Sequence, residues 1–294
     1  YVLQKRILTE KGNDFVLKSH GSQRKYNTNI YEGIIINDLE FNTFSKFSNK
    51  GLVTNFKMLF KNTNIDAKYS KNHKDKFEQN LSTVVQYNME LPLKKENLEF
   101  INNFTPKVSL MYSPNKSKNL SSDNRRMDTS NIFSINRISN DETVEGGASL
   151  TYGTTFNKVN KETNKDILNL ELSSLLRIKE NPDLPTSSSI GKKMSDIFGN
   201  FEVYPNENLS LKYNFSIDNN FDKTNYDSIS TGLKINKFVT SFEYSDEKNN
   251  MINESFTSNS SSFEIDKNNS INFNVRRNNE KSATEFYNLI YNYK

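Results

Sequence analysis

Apolar and polar residues alternate along much of this chain. Leu209, Leu211, Tyr213, Phe215 and Ile217 interleave with Ser210, Lys212, Asn214, Ser216 and Asp218. In an extended strand this puts every apolar side chain on one face and every polar one on the other. The same period recurs at Leu81, Thr83, Val85, Tyr87, Met89, Leu91 and Leu93. It recurs at Leu98, Phe100, Phe104, Val108, Leu110 and Tyr112, with Asn102 and Pro106 in phase, and at Leu168, Leu170, Leu172, Leu176 and Ile178. Fainter versions run through 52–60, 148–156, 226–235, 238–244, 271–275 and 287–293. Polar stretches at 71–76, 115–124, 157–165, 181–189, 246–250 and 267–269 read as turns and loops between them. The pattern predicts roughly 14–16 strands. No stretch carries a sustained helical period with caps.

Many runs reach ten residues or more, whereas strands in globular proteins average about five or six. About ten residues is what a tilted strand needs to cross a bilayer. A sheet with one apolar face packs it on a second sheet, or turns it to lipid while the polar face lines a wet lumen. The expectation is an all-β fold: an antiparallel transmembrane β-barrel of the outer-membrane type, one domain over 1–294. On patterning alone, a secreted β-sandwich or adhesin stays open.

Composition favours the barrel. Only 34% of residues are hydrophobic and 25% are charged, with a mean hydropathy of -0.78. So lean a chain resembles a disordered one, but 21 Phe and 14 Tyr with only 10 Gly and 6 Pro do not. A wide barrel reconciles the two, because half of each strand faces water while the backbone stays fully hydrogen-bonded. Aromatic rings suit the two membrane interfaces, and Tyr287, Tyr291 and Tyr293 beside Leu289 look like such a strand. A bias toward Asn and Lys codons lowers the average further.

The net charge of +4, from 39 basic and 35 acidic residues, is too small and too scattered for a nucleic-acid partner. With 0 Cys and 2 His (His20 and His73) there is little material for a thiolate site, a metal centre or a catalytic triad. No cofactor site is expected. Gly146-Gly147 reads as a bulge or the tight start of a strand, since no phosphate-loop pattern follows it. The pairs Arg125-Arg126 and Arg276-Arg277 either meet lipid phosphates or stand as solvated loop charge. No run of about 18–20 apolar residues suggests a transmembrane helix.

One segment is more specific than a pattern. Phe104-Thr105-Pro106-Lys107-Val108 leads to Leu110-Met111-Tyr112-Ser113-Pro114, then Met127-Asp128-Thr129, then Asn131-Ile132-Phe133-Ser134-Ile135-Asn136-Arg137-Ile138, then Thr143–Gly147 and Ala148–Phe156. Further on come Ser195-Asp196-Ile197-Phe198-Gly199-Asn200 and Tyr204-Pro205-Asn206. This order of motifs, over about 80–220, resembles the C-terminal barrel of the lipopolysaccharide-assembly family LptD, the organic-solvent-tolerance family. The family's Gly-Leu-Asp-Arg-Ile appears here one residue shorter, with Asn136 in place of the Asp. The resemblance implies an internal piece of the barrel, with the N-terminal periplasmic jelly roll and the last strands lying outside it.

It implies a non-enzymatic translocon of the Gram-negative outer membrane that inserts lipopolysaccharide into the outer leaflet. Its partners would be lipopolysaccharide, a lipoprotein plug of the LptE type and the periplasmic lipopolysaccharide bridge. Asp128, Asn131, Asn136 and Arg137 are the candidate lumen or loop contacts. They fold inward toward the plug or a phosphate, or simply pin the loop and the strand register. Pro106 and Pro114 are expected where a ladder donor is dispensable, as at a strand end. Two other functions remain at this stage, a passive porin and a soluble β-rich binding protein. An outer-membrane enzyme resting on His20 and His73 is more distant.

Overall fold

The protein is described by a computed structural model covering residues 1–10, 12–26, 29–249, 251 and 253–293. Asn250, in the expected 246–250 turn, and the terminal Lys294 lie outside the described residues. The strands are β1 (Val2–Leu8), β2 (Asp14–Lys25), β3 (Tyr31–Asn42), β4 (Lys46–Phe47), β5 (Val53–Lys68), β6 (Phe77–Glu90), β7 (Leu93–Glu96), β8 (Phe100–Ser113), β9 (Gly147–Asn160), β10 (Asp166–Arg177), β11 (Ile197–Asn206), β12 (Leu209–Ile217), β13 (Thr224–Ile235), β14 (Phe238–Lys248), β15 (Asn253–Glu264), β16 (Asn269–Asn278) and β17 (Ala283–Tyr293). Among the described residues a single 3₁₀ turn spans Ser189–Gly191.

All seventeen belong to one antiparallel sheet that meanders in chain order. β3 and β4 both pair with β5, and β6 and β7 both pair with β8, so each couple is one interrupted strand. Joined that way, the sheet makes fifteen passes, within the range expected from sequence. Among the described residues no ladder register joins β1 to β17.

Register fixes the faces. Met58 pairs with Val85, Val85 with Tyr112, and Tyr112 with Ala148. Leu170 pairs with Phe201, and Phe201 with Tyr213. This is the apolar outer face, and its large side chains stand exposed, among them Leu81, Tyr87, Leu110, Tyr112, Phe201, Leu211 and Phe242. The inner face carries Lys61, Thr63, Gln86, Ser109, Ser149, Thr151 and Ser173, all buried. A soluble sheet does the reverse, burying its apolar face and wetting its polar one.

Two features of the wall depart from expectation. Pro106 lies inside β8 rather than at its end, while Pro114 does directly follow that strand. Pro106 is tolerated because it faces the gap between β6 and β7, at Leu91-Pro92. There the Leu91 amide donates to the Pro106 carbonyl at 3.1 Å, and proline has no amide to return the bond. Gly199 stands opposite Phe215 on the outer face. A Cβ there would come within 2.1 Å of the Phe215 ring, so the ring lies over the glycine.

Some connections are shorter than the polar stretches implied. β9 continues to Asn160 and β14 to Lys248, because their last residues still find ladder partners. The turns at the Thr9, Ser48, Asn97, Lys161, Asn236 and Asp266 end are short; the long connections, 69–76, 114–146 and 178–196, all leave the other end. No helix among the described residues is long and apolar enough to span a membrane, which says nothing of crossing with strands.

Candidate functional site

The two longest connections, 114–146 and 178–196, fold together against the inner face. Leu120, Met127, Ile132 and Ile138 from the first meet Leu184 and Ile190 from the second, with Leu175 and Phe198 of the wall and Phe133 packed alongside. A second cluster sets Val144 and Ile135 on Leu59, Val84 and Met111 of β5, β6 and β8. These apolar residues follow no strand period, so they find burial only in a separate core inside the wall. The backbones of the two loops also bond, Leu120 N to Asp183 O at 2.7 Å and Asn181 N to Gly191 O within the second loop at 2.9 Å.

An ionic cluster anchors this core. The Arg137 guanidinium grips Glu145 in fork fashion, Nε to Oε2 at 2.6 Å and Nη2 to Oε1 at 2.5 Å. It also donates to Thr151 Oγ1 at 2.8 Å, Ser149 Oγ at 2.7 Å and the Ile132 carbonyl at 3.3 Å. Arg177, ending β10, reaches the same Glu145 Oε1 at 2.5 Å from Nη2, and the Gly146 carbonyl at 3.1 Å. The three charged side chains are at most 2% exposed. Two guanidinium groups share one carboxylate, and Arg177 Nε has no partner. Such forks are the strong form of charge-assisted bonding. Gly146 permits the close approach: a Cβ there would stand 2.3 Å from the Asn115 carbonyl oxygen. Gly147 opens β9 at φ 90°, as the tight strand start expected of this pair.

The 114–146 loop then reaches across the lumen. Arg126 stacks on the Tyr226 ring of β13 at 4.2 Å and lies 4.0 Å from Glu247 of β14. Gln86 of β6 donates to the Phe133 carbonyl at 3.0 Å, and Thr63 of β5 to the Glu142 carbonyl at 3.2 Å. Asp141 lies 3.9 Å from His20 of β2. Contacts on β2, β5, β6, β13 and β14 make the loop a roof over one mouth of the lumen.

Glu142 is its polar clasp. It takes a bond from Lys118 Nζ at 2.5 Å and faces His73 Nε2 at 3.2 Å, while His73 Nδ1 lies 3.7 Å from Glu32. Partial burial works to raise the Glu142 carboxyl, but Lys118 and His73 outweigh it and hold it below its ordinary value. Beside the clasp lies a polar cavity of about 620 Å³, lined by Asn72, His73, Asn80, Lys116, Lys118 and Glu142 among others.

The residues singled out from sequence fall within this assembly but play unequal parts. Asp128 and Asn131 shape a local turn: Asp128 Oδ1 accepts from the Ser130 amide at 2.9 Å, and Asn131 Oδ1 from the Asp128 amide at 3.1 Å. Asn136 buries an Oδ1 without a partner. Arg137 is wholly engaged by Glu145 and its neighbours and offers nothing to a phosphate. Of the basic pairs, Arg126 lies on Tyr226, and Arg276 lies on the Phe256 ring at 3.9 Å and beside Glu285 at 3.3 Å. None of Glu142, Glu145, Arg177 and Tyr226 was singled out from the sequence, although Glu145 lies in the Thr143–Gly147 motif and Tyr226 opens the 226–235 alternation.

A one-sheet meander with an apolar outer face, a polar inner face and a roofed mouth defines an outer-membrane-type β-barrel protein. Residues 43–281 match the family LptD, LPS transport system D, and the chain belongs to that family. It is a transport family rather than an enzyme family. Among solved structures, the chain is similar to a triple mutant of the porin of Rh. blastica, at 5% identity and TM-score 0.32 over 97% of this chain and 96% of that one. So loose a likeness carries no argument. No curated protein sequence matches the chain.

Proposed function

We propose that this chain is the barrel of an outer-membrane translocon that inserts lipopolysaccharide into the outer leaflet, and that 1–294 acts as one domain. Family membership supports the cargo and the membrane. The observation that carries the mechanism is the roof. In outer-membrane barrels the short turns face the periplasm and the long loops the outside, so the roofed mouth lies at the cell surface. A saccharide-phosphate head in the wet lumen then finds the upward exit closed by Arg126, Phe133 and Glu142. It leaves sideways through the wall, with its acyl chains remaining in hydrocarbon. A passive porin needs an open mouth, and the roof argues against that reading.

On this reading the periplasmic bridge supplies lipid at the short-turn end, and a lipoprotein of the LptE type fills the lumen below the roof. Asp128, Asn131, Asn136 and Arg137 act by shaping and pinning the roof. No covalent chemistry and no cofactor enters. The test is depletion of the full-length protein in its host, followed by assay of lipopolysaccharide at the cell surface. Surface lipopolysaccharide should fall; an unchanged level removes the reading.

A further inference from the structure

The height of the apolar outer band varies around the wall. On β6 and β7 the outward side chains run Leu81, Thr83, Val85, Tyr87, Met89, Leu91 and Leu93, and the neighbouring β8 offers Phe104, Pro106, Val108, Leu110 and Tyr112. At about 3.3 Å per residue, Leu81 to Leu93 is roughly 40 Å of strand, ample for a tilted crossing of about ten residues.

On β2, β15 and β16, just inside the two ends of the sheet, the band shrinks, whereas the end strand β17 keeps Tyr287, Leu289, Tyr291 and Tyr293 outward. On β16 only Ile271, Phe273 and Val275 are apolar before Arg277 and Asn279, which is roughly 13 Å of strand. On β2 only Phe15 and Leu17 precede Ser19, Gly21 and Gln23. β15 is the extreme case. Past Phe263 its outward residues are Ser261, Asn259, Thr257 and Ser255, each paired across from the outer faces of β14 or β16. Ser261 stands between Thr240 and Phe273, and Asn259 between Phe242 and Val275, so the polar row cuts through the band rather than edging it.

These side chains satisfy one another. Thr240 Oγ1 and Ser261 Oγ lie 2.8 Å apart, and Asn259 Nδ2 donates to Thr240 Oγ1 at 3.0 Å. Ser261 Oγ donates to Asn259 Oδ1 at 2.9 Å. On the other flank Ser19 donates to Asn37 at 2.7 Å, and Asn37 to Asn62 at 3.3 Å. Internal bonding is what lets polar groups remain on a membrane-facing wall.

We infer that the surface of β15 and β16, together with β2, contacts a locally thinned and hydrated bilayer instead of hydrocarbon of full depth. A hydrophobic span shorter than the bilayer pulls the bilayer thin around it. The partner of this surface is therefore the polar head region of lipid amphiphiles, which meets the least hydrocarbon on this side of the wall. The inference rests on the membrane-spanning reading of the sheet.

With 0 Cys in the chain, Asn259→Cys and Thr154→Cys each give one labelling site. Thr154 faces outward between Pro106 and Leu172, in the tall part of the band. Each variant carries a nitroxide in phosphatidylcholine nanodiscs, and its collisions with oxygen and with a water-soluble nickel chelate are compared. Oxygen should dominate at Thr154, and the ratio at Asn259 should shift several-fold toward the chelate. Equal, oxygen-dominated ratios overturn the inference. So does shielding of Asn259 from both reagents, which indicates a protein contact there. Chelate dominance at Thr154 as well removes the membrane reading itself, which separates the two failures.

Discussion

Arg177, the last residue of β10, and Glu145, just ahead of β9, meet at 2.5 Å with side chains 1% and 2% exposed. Arg137 grips the same carboxylate, so the roof is tied to the wall through one buried anion. Removing one partner of a buried pair strands the other and costs about 3–5 kcal/mol. Here Glu145→Gln strands two guanidinium groups. It should lower the unfolding temperature in detergent and expose 114–146 to protease. Arg137→Met placed in the Glu145→Gln background should recover part of the loss, because it removes one stranded charge. A Glu145→Gln protein as stable and protease-resistant as the parent contradicts the anchoring role.

The Glu142 clasp makes the roof sensitive to acid. Its carboxyl is held below the ordinary value in the fold, by Lys118 and His73 acting against burial. A depressed carboxyl stabilises the fold fully above its unfolded-state pKa, and that contribution is lost as pH falls through the folded-state one. Protease cleavage within 114–146 should therefore be flat near neutrality and rise once pH drops below the ordinary carboxylate range. Glu142→Gln should be cleaved faster at neutral pH and lose most of that acid dependence. Retention of the full acid response in Glu142→Gln would place its origin elsewhere.

The strands that announced themselves in sequence, β6, β8, β10 and β12, have outer faces apolar over most of their length. β15 gave no signal because it is polar on both faces, with Ser258, Ser260 and Ser262 inward and Thr257, Asn259 and Ser261 outward. β3 was hidden for the opposite reason: Ile34, Ile35 and Ile36 are apolar on both faces, and Ile36 is buried. Period-two reading works where lipid and water impose contrasting demands on the two faces. The motif segment located the roof, since Arg137 and the residues around it lie at its centre. Its counterpart Arg177 was not legible there: it stands 32 positions from Glu145, and only the β9–β10 hairpin brings the two together.

Gly199 and Phe215 make a separable test of the outer wall. An added Cβ at Gly199 would overlap the Phe215 ring at 2.1 Å, so the ring must swing off the sheet. Overpacking of this kind costs typically about 1–3 kcal/mol, and an outward ring with room to move belongs at the low end. Gly199→Ala should lower stability in detergent by about 1 kcal/mol. Phe215→Leu should cost less in the Gly199→Ala background than alone, the sign of a ring that covers a glycine. Additive effects of the two changes would deny the coupling.

The far side of the roof hangs on Arg126, held over the Tyr226 ring at 4.2 Å with Glu247 at 4.0 Å. A cation over an aromatic face contributes about 0.5–2 kcal/mol, little beside the Glu145 cluster. Its loss should free the lip of the loop while the core stays anchored. Arg126→Ala should thus leave thermal stability nearly unchanged, yet raise ion conductance in planar bilayers and uptake of a large hydrophilic antibiotic in cells. Tyr226→Leu should do the same and Tyr226→Phe should not, because phenylalanine keeps the ring face. Leakage from Tyr226→Phe equal to that from Tyr226→Leu would assign the seal to the tyrosine hydroxyl instead. No leakage from Arg126→Ala would mean that the mouth is closed by the packed core of Leu120, Met127 and Ile132 alone.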